Sequence, residues 1–164
     1  VDFYCEAAED FYYDGYEDTF DVIFTSPPYF NVERYSHDDN QSWVRYKDID
    51  GWNTQFLQKA LDNMLPTLKS GGKLCINISD VYANSKWSSD RCWLKICDPM
   101  NDFIQSYGGM EYKGCIGMEM AKRPNSGGAG TAKDKTQYSE ESLQLAEETK
   151  NKRFCEPIWI WEKK

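Results

Sequence analysis

Short apolar runs alternate along this chain with polar, turn-rich stretches and one long periodic segment. Val22, Ile23 and Phe24 form a continuous apolar run, so residues 20–25 predict a strand buried in a parallel sheet. Residues 1–5 predict an earlier strand. Leu57, Leu61, Met64, Leu65 and Leu68 repeat at helical spacing, which predicts a helix over about 52–69. Pro66 falls inside that pattern and should kink or end it, with Ser70-Gly71-Gly72 as the stop. Residues 73–79 then predict a strand. Residues 98–107 predict a second helix, capped by Asp98, with Pro99 at its first position and Gly108-Gly109 at its end. Two closing strands are expected at 111–121 and 156–161. The segment 30–50 predicts a polar, aromatic loop, 125–132 a flexible loop, and 139–150 a short polar helix. The alternation of strands and helices places the chain in the α/β class.

Length and charge sharpen this picture. The 164 residues are enough for one domain with a sizeable core. No apolar run approaches a membrane span, and the expectation is a protein of the cytoplasm without membrane contact. Six cysteines include no Cys-x-x-Cys pair, and His37 is alone, so no metal site is expected. Cys5, Cys75 and Cys115 lie in apolar runs and read as reduced core residues in a reducing compartment. The net charge of −8 equals the eight acids of residues 1–21, which contain no Lys or Arg. The rest of the chain is therefore neutral overall, without a global basic footprint for nucleic acid.

The chemistry concentrates where the first apolar run stops. Thr25-Ser26-Pro27-Pro28-Tyr29-Phe30 follows it directly. Two prolines remove two backbone donors and fix two φ angles, so the strand must end there. Ser26 and Pro27, each preceding a proline, are held extended. The result is a stiff corner carrying a hydroxyl, bare carbonyls and an aromatic ring at the C-terminal end of a strand. Ligands bind at such ends in open α/β sheets.

This corner resembles the catalytic motif of the S-adenosylmethionine-dependent amino-methyltransferases of DNA, which modify adenine N6 or cytosine N4. The family writes it (Asp/Asn/Ser)-Pro-Pro-Tyr. The resemblance implies a Rossmann-like class I methyltransferase sheet, mostly parallel with an antiparallel C-terminal strand pair. It implies that Ser26 and the Pro27 carbonyl, with Pro28 stiffening the corner, hold the exocyclic amine. Tyr29 would stack on a base flipped from the duplex. It also implies S-adenosylmethionine as cofactor, with Glu6, Ala7 and Thr25 on its side of the site; Glu6 reads equally as one of eight solvated acids. The family's glycine-rich cofactor loop does not precede residue 1, so the first two strands are expected to be missing and the domain to be partial. Ser126-Gly127-Gly128-Ala129-Gly130 reads better as a linker than as that loop, because a polar segment separates it from the preceding strand.

The substrate side is drawn from several segments. Phe30, Arg34 and Tyr35 follow the corner in a loop where aromatics alternate with cations, which suits a stacked, phosphate-bearing strand or simply an irregular lid. Asn77 and Asp80 end the next strand; Asn77 either lines the base pocket or bonds to backbone. Arg123 opens an insert over 122–155, whose residues 122–153 hold seven cations against five acids and so form either a target contact or a solvated loop. The expected partner is DNA, with RNA or a protein amide as alternative substrates. A non-catalytic nucleic-acid-binding fragment is the reading from another class. A sheet short of its first strands exposes an edge, so self-association or a partner chain is expected to cover it.

Overall fold

The computed structural model describes residues 3–33, 35–36, 38–83, 92–119 and 155–164. The chain divides into two compact units. One comprises Val1–Ile116 with Pro157–Lys164, and the other comprises Gly117–Glu156, of which only residues 117–119 and 155–156 are described.

The first unit is built on a four-stranded mixed sheet in the order β1-β2-β6-β5. β1 is Phe20–Thr25, β2 Leu68–Asn77, β5 Met110–Glu119 and β6 Cys155–Lys163. β1 runs parallel to β2, with Ile23 opposite Leu74 and Thr25 opposite Ile76. β6 runs antiparallel to β2, with Trp161 opposite Leu74 and Trp159 opposite Ile76. Alternation along each strand therefore puts Ile23, Leu74, Ile76, Trp159 and Trp161 on one face of the sheet. A separate ribbon pairs β3 (Val81–Ala83) with β4 (Cys92–Leu94).

Between β1 and β2 the chain is helical in pieces: α1 (Ser42–Arg45), α2 (Ile49–Trp52), a π-helical stretch (Asn53–Gln58), α3 (Lys59–Met64) and a 3-10 turn (Leu65–Thr67). The predicted apolar stripe holds. Leu57, Leu61, Leu65 and Leu68 are buried and Met64 half-buried, packed with Leu74, Ile76 and Trp161. Pro66 sits in the 3-10 turn that ends the helical run, as its missing donor requires. α4 (Cys97–Tyr107) adds Met100 and Ile104 to the same core, and Gly108, at φ +83°, ends it.

Four expectations need correction. Residues 3–5 form no strand and are exposed, and no strand among the described residues pairs with them. Ser70-Gly71-Gly72 does not stop a helix. The backbone is already extended at Leu68, and residues 69–72 bulge out of β2 between the pairs Phe20–Leu68 and Val22–Lys73. Gly71 there has φ +77°, and a Cβ on Gly72 would lie 2.9 Å from Leu68 Cδ1 and Lys69 O, so both glycines serve the bulge. Asp98 does not cap α4; Ile96 is the cap residue, with no side-chain cap bond of its own. Finally, Cys5 and Cys115 are exposed and Cys75 half-buried, whereas Cys97, at the first turn of α4, is buried. Burial pushes Cys97 up to about 12, so it is inert as a nucleophile. The expected loop 125–132 and helix 139–150 lie outside the described residues.

Candidate functional site

β1 delivers Thr25 half-buried at its end and Ser26 exposed just beyond. The Ser26 hydroxyl donates to Asn77 Oδ1 at 3.3 Å, and Asn77 Nδ2 donates to the Pro157 carbonyl at 3.0 Å. Asn77 is 3% exposed, at the end of β2 and opposite Ile158 of β6. Three neighbouring strand ends thus converge on one hydroxyl. Of the two readings of Asn77, the backbone bond is the one observed: its amide nitrogen is given to Pro157 and its oxygen to Ser26.

The corner itself is tightly turned. Phe30 N donates to the Pro28 carbonyl at 2.9 Å and Val32 N to the Tyr29 carbonyl at 3.0 Å. The Pro27 carbonyl has no backbone hydrogen-bond partner among the described residues, although Pro27 is buried. A buried acceptor left open beside a polarised hydroxyl suits a ligand that brings two hydrogens. Tyr29 is half-buried against the core, and Phe30 turns fully inward, edge-to-face on Trp52 at 5.9 Å.

A carboxylate that the residue pattern did not single out stiffens the corner. Glu33 Oε2 accepts from Tyr29 N at 3.1 Å and from the Tyr35 hydroxyl at 2.6 Å. This hydrogen bond, with lesser help from desolvation, pushes the Tyr35 hydroxyl up to about 12. Tyr35 N in turn donates to Gln41 Oε1 at 2.9 Å, while its ring is 71% exposed. Tyr35 is therefore anchored at both ends with its face open. Arg34 and Arg123, and the remainder of the 122–155 insert before residue 155, lie outside the described residues.

The acidic N-terminal segment docks through Glu9, not Glu6. Glu9 is 2% exposed, and its Oε1 accepts from Arg45 Nη1 at 2.6 Å and from the Tyr46 hydroxyl at 3.5 Å. Arg45 Nη2 reaches Asp10 at 2.8 Å, and Asn63 Nδ2 donates to the Glu9 carbonyl at 3.1 Å. Asp10 titrates below the ordinary range because Arg45 and then Lys59 hydrogen-bond its charged form. Glu6 remains exposed with no partner among the described residues, next to half-buried Ala7. An unpaired carboxylate beside a small residue fits the amine or hydroxyls of an adenosine. The glycine cradle that the methionine half of the cofactor would need is not formed by the described residues.

Asp80, three residues beyond Asn77, is engaged at the start of α4. Its Oδ1 accepts from Ile96 N at 2.8 Å and Cys97 N at 3.0 Å, and its Oδ2 from Lys95 Nζ at 3.1 Å. It supplies the cap expected of Asp98. Desolvation pushes its carboxyl up, but the two N–H groups and the ammonium outweigh this and hold it below the ordinary range. No described helix is long and apolar enough to cross a membrane.

The family model described as DNA methylase, of the N6/N4 type, matches residues 20–164. No curated protein matches the chain. Among solved structures it is similar to a protein of Thermus thermophilus described as a candidate DNA modification methylase. One structure of that protein superposes with a TM-score of 0.57 at 15% identity, over 96% of this chain and 52% of the other. A second, complexed with S-adenosyl-L-methionine, gives 0.55 at 17% identity, over 96% and 53%. At these identities the likeness concerns the fold, and the chain spans about half the length of the protein it matches.

Proposed function

From the premise that the chain belongs to the N6/N4 DNA methylase family, we propose that it carries the catalytic corner for methyl transfer from S-adenosylmethionine to the exocyclic amine of a DNA base, cytosine N4 or adenine N6. The base leaves the duplex to reach Ser26–Tyr29. The observation that carries this reading is the pairing of Ser26 with Asn77. An exocyclic amine is a poor nucleophile because its lone pair is delocalised into the ring. A serine oxygen helps only if its own proton points elsewhere. Asn77, fixed by its bond to Pro157, accepts that proton and leaves the Ser26 lone pairs for the amine. The open Pro27 carbonyl accepts the second amine hydrogen. With both hydrogens held, the lone pair stands out of the ring plane and in line for attack. After transfer the cationic nitrogen, still hydrogen-bonded to Ser26 Oγ and Pro27 O, sheds one proton directly to solvent. Tyr29 packs on the base.

The cofactor supplies an electrophilic methyl when bound; Glu6, Ala7 and Thr25 are the residues of this chain that would face it. Arg123 and the other cations of the 122–155 insert are our candidates for contacts to the DNA backbone. Incubating the whole gene product with labelled S-adenosylmethionine and duplex DNA, then analysing nucleosides, tests the reading. N4-methylcytosine or N6-methyladenine that Ser26→Ala removes is the expected product. Methylation of RNA or protein alone, or transfer indifferent to Ser26→Ala, overturns it.

A further inference from the structure

Past the corner the backbone adopts a conformation that bulky residues avoid: Phe30 has φ +45°. Strain of this kind persists where surrounding contacts impose it, and it concentrates at functional sites. Here Trp52 holds the Phe30 ring inward. Between this turn and the α1 segment lies a cleft of about 260 Å³, lined by Phe30, Asn31, Trp43, Val44 and Lys47.

Its lining is amphipathic in an ordered sense. Trp43 and Val44 supply apolar wall, while Asn31 and Lys47 supply an amide and an ammonium. Among the described residues, Arg45 is engaged by Glu9 and Asp10, and Lys59 by Asp10. Lys47 is exposed and has no ion-pair partner among the described residues. An aromatic wall with one uncommitted cation matches a nucleotide, whose base has a π-face and whose phosphate is anionic. The cleft begins one residue after Tyr29, so a strand whose target base sits at the corner runs directly into it.

We infer that this cleft is a subsite for the nucleotide adjacent to the target: its base packs on Trp43 and its phosphate lies at Lys47. The inference rests on the proposed reaction for its direction, since a base drawn out of the stack leaves its neighbour without a stacking partner and the cleft offers a replacement.

The test is fluorescence anisotropy with a labelled pentadeoxynucleotide, without methyl donor, as a function of salt. Lys47→Gln should weaken binding and lower the slope of log affinity against log salt by about one, the signature of one lost phosphate contact. Val44→Glu, which puts a carboxylate in the cleft without emptying the core, should weaken binding at least tenfold. Trp43→Ala should cost about 10- to 100-fold. Replacing the base next to the target by an abasic linker should abolish the effect of Trp43→Ala. Equal affinity of Val44→Glu and wild type, or an unchanged salt slope in Lys47→Gln, overturns the subsite. Cleft-dependent binding without methyl transfer by the whole gene product would keep the subsite and sink the reaction. Transfer insensitive to Val44→Glu would do the reverse.

Discussion

Ser26 Oγ lies 3.3 Å from Asn77 Oδ1, and the Asn77 amide cannot turn away because its other end is given to the Pro157 carbonyl. The direction of one hydroxyl proton is thereby fixed by a residue 51 positions later and a third strand. Removing the acceptor by Ser26→Ala should lower single-turnover methyl transfer by about 10²-fold, the scale of one preorganised hydrogen-bonding group in an active site. Asn77→Ala should lower it less, by roughly tenfold, because the hydroxyl survives but rotates freely. It should also cost about 1 kcal/mol of stability, since a partly buried carbonyl loses its donor. Cofactor affinity, read by calorimetry, should be unchanged in both. A normal transfer rate in Asn77→Ala would refute the orienting role.

The Glu9–Arg45 pair should hold the acidic N-terminal segment in place. Glu9 is buried and Arg45 is about one-third exposed, so the pair is only partly desolvated. Truncation by Glu9→Ala strands the guanidinium beside Asp10 alone. We expect a loss of about 2–3 kcal/mol, below the 3–5 kcal/mol of a fully buried pair because water still reaches Arg45. Glu6→Ala, at an exposed site, should leave the urea midpoint unchanged. Equal stability of the two variants would refute the assignment.

These two relationships also mark what the residues alone reveal. The corner is legible, because two prolines after an apolar run leave the backbone few choices. The helical stripe is legible, because Leu57, Leu61 and Leu65 repeat at helical spacing and bury together. Which of eight similar acids goes inside is not legible: Glu9 differs from Glu6 only in meeting Arg45, 36 residues away. The cap of α4 is hidden for the same reason. Asp98 has the right local position, but the helix starts earlier, and Asp80 takes the N–H groups of Ile96 and Cys97 from 16 and 17 residues upstream. The paired glycines at 71 and 72 signal a left-handed turn, which Gly71 makes, but the turn alone does not say whether a helix or a strand contains it.

Asp80 should make stability depend on pH. Its carboxyl is held below the ordinary carboxylate range in the folded chain by the Ile96 and Cys97 N–H groups and Lys95, against desolvation. A depressed folded value contributes stability that is fully present above the unfolded value, about 3.9, and is lost as pH falls through the folded value. Asp80→Ala should cost about 1–2 kcal/mol at pH 7, the range for a helix N-cap. The gap between wild type and variant, read from urea midpoints, should narrow as the pH is taken from about 5 toward about 2.5. A gap that stays constant across that range would show that the cap does not depend on the ionised carboxylate.

β1 is the outer strand of the described sheet, and its exposed side carries an apolar liability. Val22 and Phe24 are 57% and 60% exposed, on the face opposite Ile23, while Ile23 alone of the three packs into the core. Beside them the strand's outward N–H and C=O groups have no ladder partner among the described residues, which is the arrangement that templates pairing with another chain. The neighbouring strand does not blunt this edge: Phe24 pairs with Cys75, and the charged pair Lys73–Glu162 lies one row away, opposite Val22. We therefore expect the isolated chain to self-associate with rising concentration across the micromolar to millimolar range. Phe24→Lys places a charge on the patch without touching the core and should shift sedimentation toward the monomer. A monomer throughout that range, unaffected by Phe24→Lys, would mean that the edge is protected and that no partner strand is required.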